Sequence, residues 1–266
     1  CAGINHMAWL LEISRNGEDL YPIIRKRAQE GPIYAPTLAL RELHPEYADR
    51  IPSVAEQFTP DNHHDMVRFE IMKQFGYFVT ESSEHSSEYY PWFIKKDHPE
   101  LIDRFHIPLD ESPRRCRDQI ARWKQQAEHL VHNENLTHTR SSEYAAGIIE
   151  ALETGRTFGF AGNVLNTGLI DNLPFDACVE VSCMVNEGHL SPCHMGPLPN
   201  QLAALNRRQI EVHQLTVDAA LTRKKEYIYQ AAMLDPHAGS ELTIDEIRSL
   251  VDDLIQAHGD WLPEYH

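Results

Sequence analysis

The chain has 266 residues with 24 Lys+Arg against 40 Asp+Glu, a formal net charge of −16 at pH 7, which repels nucleic-acid phosphates and anionic lipid headgroups and excludes both as expected partners. Hydrophobic residues make up 42% and charged residues 24%, ordinary usage for a folded globular protein, and no apolar run approaches the roughly 20 residues of a membrane span. Five cysteines (Cys1, Cys116, Cys178, Cys183, Cys193) form an odd set without CxxC spacing, which argues against a disulfide framework or a zinc ribbon and for a reducing cytoplasm.

The first residue is Cys1, followed by neither a basic n-region nor an apolar signal core, so the start reads as a cut. Ala8 to Ile13 is strand-like and runs into Asn16-Gly17, a dipeptide suited to φ > 0, which predicts a hairpin or a strand-to-helix turn. Val67, Ile71, Met72 and Phe75 share a helical period closed by Gly76. Ile120, Trp123, Ala127, Leu130 and Val131 repeat the period after Pro113, and Ser141-Ser142 can cap a helix carrying Ile148, Ile149 and Leu152 before Gly155. Ala177, Val179, Val181, Cys183 and Val185 alternate as one face of a sheet strand. Residues 200–233, without Pro or Gly, predict one long helix or two end to end. The last helix has a capping box (Thr243, Glu246), an apolar stripe (Ile247, Leu250, Val251, Leu254, Ile255) and a stop at Gly259. No repeat, low-complexity tract or Gly/Ser linker divides the chain. It reads as one helix-rich α+β unit.

Three clusters could carry chemistry. Gly3-Ile4-Asn5-His6 sets an amide beside an imidazole just before an apolar strand, although a histidine there can equally be a core residue satisfied by a backbone carbonyl. His63-His64-Asp65-Met66-Val67-Arg68 stands where a helix begins, so Asp65 is either a helix cap or a carboxylate placed to act as a general base. Thr80 to Trp92 combines Glu81, Glu84, His85, Glu88, Tyr89 and Trp92 without apolar periodicity, a composition suited to a sugar site or to a solvated polar loop. His189, Cys193 and His194 lack tetrahedral-site spacing, and His129 with His132 lies on a polar helix face, so both groups read as structural or solvated. GxSxG, Walker, GxGxxG and HExxH motifs are absent from the sequence, so a conventional hydrolase triad is unsupported.

In order along the chain, the blocks Cys1-Ala2-Gly3-Ile4-Asn5-His6-Met7-Ala8-Trp9, Phe75 to His85 (FGYFVTESSEH) and Gly168 to Pro174 (GLIDNLP) closely resemble the melibiase-type α-galactosidases of glycoside hydrolase family 4. Gly196-Pro197-Leu198-Pro199, Met233-Leu234-Asp235-Pro236-His237 and Ala257-His258-Gly259-Asp260-Trp261-Leu262-Pro263 extend the likeness over the whole chain. The resemblance implies that residues 1–266 are the carboxy-terminal catalytic and dimerisation domain of such an enzyme, α+β with a mostly antiparallel sheet, similar to the carboxy-terminal domain of lactate and malate dehydrogenases. The amino-terminal Rossmann half, with its NAD site and a metal-ligating cysteine, would lie outside the chain.

It further implies an NAD-dependent oxidation at sugar C3, proton removal at C2, elimination of the aglycone, addition of water and re-reduction, assisted by Mn2+ or another divalent metal. Carried over residue by residue, His6 is the metal ligand and Asn5 a substrate contact. Asp65 occupies the place of the C2 base, which the family supplies as either a tyrosine or an aspartate, Arg68 orients a substrate hydroxyl or that base, and Glu84, His85 and Tyr89 line the sugar side. The acidic block from Thr80 to His85 disfavours a 6-phosphate, so the expected substrate is an unphosphorylated α-galactoside. An α-glucoside or α-galacturonide is the alternative, Arg68 leaving the uronate open. A homo-oligomer is expected by analogy with two-domain relatives, and the isolated chain is expected to be inactive, a folding or oligomerisation unit by itself.

Overall fold

The computed structural model describes residues 1–30, 65–133, 135 and 143–266. His63, His64, Ser141 and Ser142 lie outside the described residues.

The chain opens with a tight hairpin, β1 (Ala2–Ile4) and β2 (Met7–Leu10), paired Ile4 to Met7 so that Asn5 and His6 alone form its turn. Gly3 makes this possible: its φ is +153, and a Cβ there would stand 2.6 Å from the Met7 carbonyl oxygen, so only a residue without a side chain fits. Asn16 and Gly17, at φ 53 and 83, close a second hairpin, β3 (Ser14–Arg15) with β4 (Glu18–Asp19). Positive φ at both central residues is the geometry for which Asn-Gly is suited.

Helix α1 (Tyr21–Glu30) follows, and after the interval come α2 (Met66–Phe75), β5 (Phe78–Val79), α3 (Ser83–Tyr89), α4 (Glu100–Arg104), α5 (Glu111–His132) and α6 (Tyr144–Thr154). Helix α2 buries Val67, Ile71 and Met72 and stops at Gly76, whose φ of 84 lets its N–H reach the Met72 carbonyl. Helix α5 departs from the usual amphipathic pattern. It buries no residue, and Trp123 and Val131 of its apolar stripe are 62% and 76% exposed.

Strands β6 (Phe158–Leu165), β7 (Cys178–Asn186) and β8 (His189–Pro192) complete the sheet, ordered β5-β2-β1-β7-β6 with β8 also on β7. Every described pairing is antiparallel. In β7 the alternation is as the sequence predicts, with Val179, Val181, Cys183 and Val185 buried. The predicted long helix is two, α7 (Asn200–Thr222) and α8 (Lys225–Leu234), broken where Arg223 turns left-handed at φ 64. Short α9 (Ala238–Glu241) leads to α10 (Ile244–His258), which carries the Thr243–Glu246 capping box in both directions. The fold is the helix-rich α+β, antiparallel arrangement read from the sequence.

The core lies between the sheet and helices α2 and α7, around Trp9, Ile71, Val79, Val179, Val181, Ile170, Leu202 and Ile210. Each such side chain contributes about 1.5–3 kcal/mol by leaving water. One polar bridge fixes α7 to the first hairpin: buried Asn206 accepts from Trp9 Nε1 at 3.1 Å and donates to the Met7 carbonyl at 2.9 Å. The turn that carries His6 is thus anchored from below. Among the described residues no helix is long and apolar enough to cross a membrane.

Candidate active site

The polar stretch from Thr80 to Trp92 is not a loop throughout. Residues Ser83–Tyr89 form α3, capped by Ser82, whose hydroxyl accepts from the His85 backbone N–H at 3.3 Å. Its inward face consists of Ser83, Ser86 and Ser87. Small hydroxyl residues seat the helix close to the core while leaving no hydrophobic periodicity, which is why the sequence reading allows a solvated loop here. Thr80 ties the segment to the first hairpin, since its backbone N–H and its hydroxyl both donate to the Ala8 carbonyl, at 2.9 and 3.1 Å.

This clamp sets α3 against the Asn5-His6 turn. His6, held at φ 63, brings its Nδ1 within 3.0 Å of the Tyr89 hydroxyl and 3.5 Å of Glu81 Oε2. The His85 ring stacks on it with centroids 5.4 Å apart, while Tyr89 meets it edge-on at 5.9 Å. His85 Nδ1 in turn contacts Glu88 Oε2 at 2.8 Å. Across β1, Gly3 pairs with Glu180, which adds a half-buried carboxylate close enough to feel His6 and Glu81. His6, His85 and Tyr89, predicted from the sequence, are therefore brought together, and Glu81 and Glu180 join them without having been assigned a role.

The other predicted residues stand differently. Asn5 is exposed at the turn beside His6. Glu84 points to helix α5, where Arg115 pairs with it. Asp65 and Arg68 form an ion pair of 2.9 Å at the start of α2. The same guanidinium spans to the Val79 carbonyl from both Nε and Nη2, at 3.2 Å, and to the Thr80 carbonyl at 3.4 Å. The Ser83 hydroxyl accepts from the Arg68 backbone N–H at 3.3 Å. Arg68 thus contacts the segment on both sides of Glu81, at Thr80 and at Ser83 where α3 begins.

Electrostatics sort these groups. Burial disfavours the Glu81 charge, but the Ser82 N–H, donating at 2.7 Å, together with His6 and His85 outweighs it and holds the carboxyl below the usual range. The hydrogen bond to Glu88 is the largest influence on His85 and, with the surrounding carboxylates, raises it against burial. Burial pushes the Tyr89 phenol up, Glu88 and Glu81 adding to the effect, and burial raises Glu180 although His6 pulls the other way.

A consequence follows for pH. The His85 midpoint is expected above 6.5 and to fall back when Glu88 is replaced by Gln. Because the folded value is the raised one, the stabilisation from protonated His85 is complete below the unfolded midpoint of about 6.5 and vanishes as pH climbs through the folded midpoint. NMR titration of the His85 ring protons checks this, and a midpoint unmoved by Glu88→Gln refutes it.

No group of three His, Cys, Asp or Glu side chains among the described residues converges as a metal site. Among the described residues, the first hairpin offers a divalent ion one imidazole nitrogen, His6 Nε2, on a ring whose other nitrogen already contacts Tyr89 and Glu81. That is the arrangement of a metal-ligating histidine. The donor chemistry fits a site to which this chain contributes one ligand and to which other groups contribute the rest.

Comparison with known proteins gives the family of the chain. A model described as the family 4 glycosyl hydrolase C-terminal domain matches residues 1–238. The chain is 54% identical to an alpha-galactosidase of Bacillus subtilis (strain 168) over 264 residues, 99% of this chain and 55% of that protein. It is 29% identical to an alpha-galactosidase of Rhizobium meliloti (strain 1021) over 279 residues, 100% of this chain and 50% of that one. The crystal structure of a 6-phospho-alpha-glucosidase from gut microorganisms, in complex with NAD and Mn2+, shares the fold with a TM-score of 0.64 at 22% identity, covering 100% of this chain and 56% of that chain. The chain spans about half the length of the relatives it matches. With the family model matching residues 1–238 and a half-length relative at 54% identity, the chain belongs to family 4 of the glycosyl hydrolases and carries that family's C-terminal domain.

Proposed function

We propose that this chain forms the substrate-facing and metal-facing half of an α-galactosidase that hydrolyses terminal, unphosphorylated α-D-galactosides, in an enzyme that uses NAD and a divalent metal such as Mn2+. The observation that carries the reading is the convergence of Glu81, His85 and Tyr89 on His6, a part-exposed imidazole set among carboxylate, imidazole and phenol groups of the kind that can bond sugar hydroxyls. Bound NAD would supply hydride transfer at the sugar ring, and a bound divalent metal would supply Lewis acidity at the reacting oxygen. His6 would hold the metal through Nε2. Asp65, steadied by Arg68 at 2.9 Å, takes the C2 proton, and Asn5 and Tyr89 offer hydrogen bonds to ring hydroxyls.

Charge supports a neutral substrate. Glu81, Glu88 and Glu180 stand around His6 and His85, so a sugar phosphate or a uronate would meet like charge. Arg68, the cation otherwise placed to receive a uronate, is already committed to Asp65 and to the Val79 and Thr80 carbonyls. Binding a carboxylate would mean breaking those bonds. This favours a neutral galactoside over a galacturonide, and the choice of galactose over glucose is supported by the 54% identity to the Bacillus subtilis protein. Self-association is part of the proposal, with the outward side chains Val217 and Leu221 of α7 as its surface.

The test is an assay of nitrophenyl α-galactoside, α-glucoside, α-galacturonide and galactoside 6-phosphate with NAD and Mn2+, on the full-length enzyme and on residues 1–266 alone. Galactoside turnover is expected from the full-length enzyme only. A preference for the phosphorylated or the uronic substrate sinks the reading, and turnover by residues 1–266 alone sinks the claim that they are one half of the site.

A further inference from the structure

We propose that Glu81 and Tyr89 are positioning residues for His6: the Glu81 carboxylate and the Tyr89 hydroxyl together hold the imidazole proton on Nδ1 and so present Nε2, unprotonated, to a divalent cation. The inference rests on the metal role of His6 proposed above and adds to it which groups set the tautomer.

Two oxygens face one ring nitrogen, Tyr89 Oη at 3.0 Å and Glu81 Oε2 at 3.5 Å. An ionised carboxylate can only accept. If the tyrosine instead donated its proton to a bare Nδ1, the nitrogen lone pair would face the Glu81 oxygen, which is repulsive. With the proton on Nδ1 both contacts are attractive, and the hydroxyl hydrogen of Tyr89 is free to turn elsewhere. That fixes which nitrogen is left for a cation.

The ring has little freedom to escape. His6 sits at positive φ in a two-residue turn that Gly3 keeps tight, and the stacked His85 covers one of its faces. The two partners come from a segment fastened to the same hairpin by Thr80 on the Ala8 carbonyl. Glu81 is itself held by the Ser82 N–H at 2.7 Å, and Tyr89 by a helix seated on buried serines. A histidine that merely needed its polar atoms satisfied would require one partner for Nδ1. Here two converge on it, while among the described residues Nε2 receives none.

The experiment uses the full-length enzyme, with Mn2+ alone as the probe. Nitrogen NMR of the His6 ring reads the tautomer directly, and paramagnetic broadening of the His6 ring protons during a Mn2+ titration reads affinity. The wild type is expected to show the Nδ1–H tautomer. Glu81→Ala is expected to weaken Mn2+ binding by about 10–100-fold, as losses of such outer contacts do, with the tautomer becoming mixed. Tyr89→Phe shifts both readouts in the same direction. Glu81→Gln, which keeps an acceptor oxygen, restores the tautomer and most of the affinity, a rescue that general loosening of the fold would not produce. An Nε2–H tautomer in the wild type overturns the proposal, as does wild-type tautomer and affinity in Glu81→Ala. Should His6→Asn bind Mn2+ as the wild type does, the metal reading fails instead, and the tautomer still decides the roles of Glu81 and Tyr89.

Discussion

Replacing His6 by Asn is expected to lower galactoside hydrolysis by the full-length enzyme, with NAD and saturating Mn2+, by about a thousandfold. A Lewis acid at the reacting oxygen is worth several kcal/mol, and about 1.4 kcal/mol is a factor of ten in rate. Asparagine is the informative substitute. His6 occupies φ 63 in a two-residue turn, where alanine would add backbone strain of its own, whereas Asn tolerates the left-handed region. The turn and its anchor, Asn206 on the Met7 carbonyl at 2.9 Å, should therefore survive, and the thermal midpoint of His6→Asn should match the wild type. A variant that keeps more than a tenth of the activity shows that His6 does not act on the metal. One that loses activity and melts early shows only that the turn has been damaged.

Much of the scaffold around this residue is legible in the sequence, because it obeys local rules. Helix α10 is announced by its capping box and stripe, and the box forms with both hydrogen bonds. Strand β7 is announced by alternation, and its alternate residues are buried. What escapes the sequence is whatever depends on absent or small side chains. Strand β6 carries Gly159 and Gly162, whose empty places are filled by the Met184 sulfur and by Cys183 and Phe160, so it shows no continuous β-forming face. Strand β1 has three residues, buried on both sides, too short for any period to show. Helix α3 hides its inward face in serines, and the break at Arg223 has neither Gly nor Pro to mark it.

The site is less legible for the same reason. His6, His85 and Tyr89 are tied together by the family resemblance and not by their spacing, since the contact between residues 6 and 89 needs the pairing of β5 with β2 and the bond from Thr80 to Ala8. Glu180 is reached only through the pairing of β1 with β7. Its one sequence signal was to be an acid on the polar side of an otherwise apolar strand. Glu84, adjacent in sequence to His85, turns away to Arg115, because neighbours in a helix do not share a face.

The block from Gly168 to Pro174 is held in the fold through a residue just before it. Asn166 is fully buried. Its Oδ1 accepts from the Leu169 and Ile170 N–H groups at 3.0 and 2.8 Å, and its Nδ2 donates to the carbonyls of Ile170, Leu173 and Pro174 at 3.1, 3.1 and 2.9 Å. One side chain thereby satisfies five backbone groups of the loop and seats Ile170 and Leu173 in the core. Asn166→Ala strands two buried donors, each at a cost of about 1–3 kcal/mol, and leaves a small cavity, so a loss of about 3–5 kcal/mol is expected. Against a total of about 5–15 kcal/mol that is enough to unfold a marginal domain. Asn166→Asp separates the two halves of the network: it keeps the acceptor for the N–H groups but turns a carboxylate toward three carbonyl oxygens. Its folded-state midpoint is then raised, so its penalty is greatest at neutral pH and shrinks as pH falls toward about 4, where the protonated acid can donate again. Urea midpoints across that range measure both effects. A loss below about 1 kcal/mol for Asn166→Ala, or a penalty for Asn166→Asp that grows as the pH is lowered, contradicts the account, because either result means that the loop holds its shape without the amide.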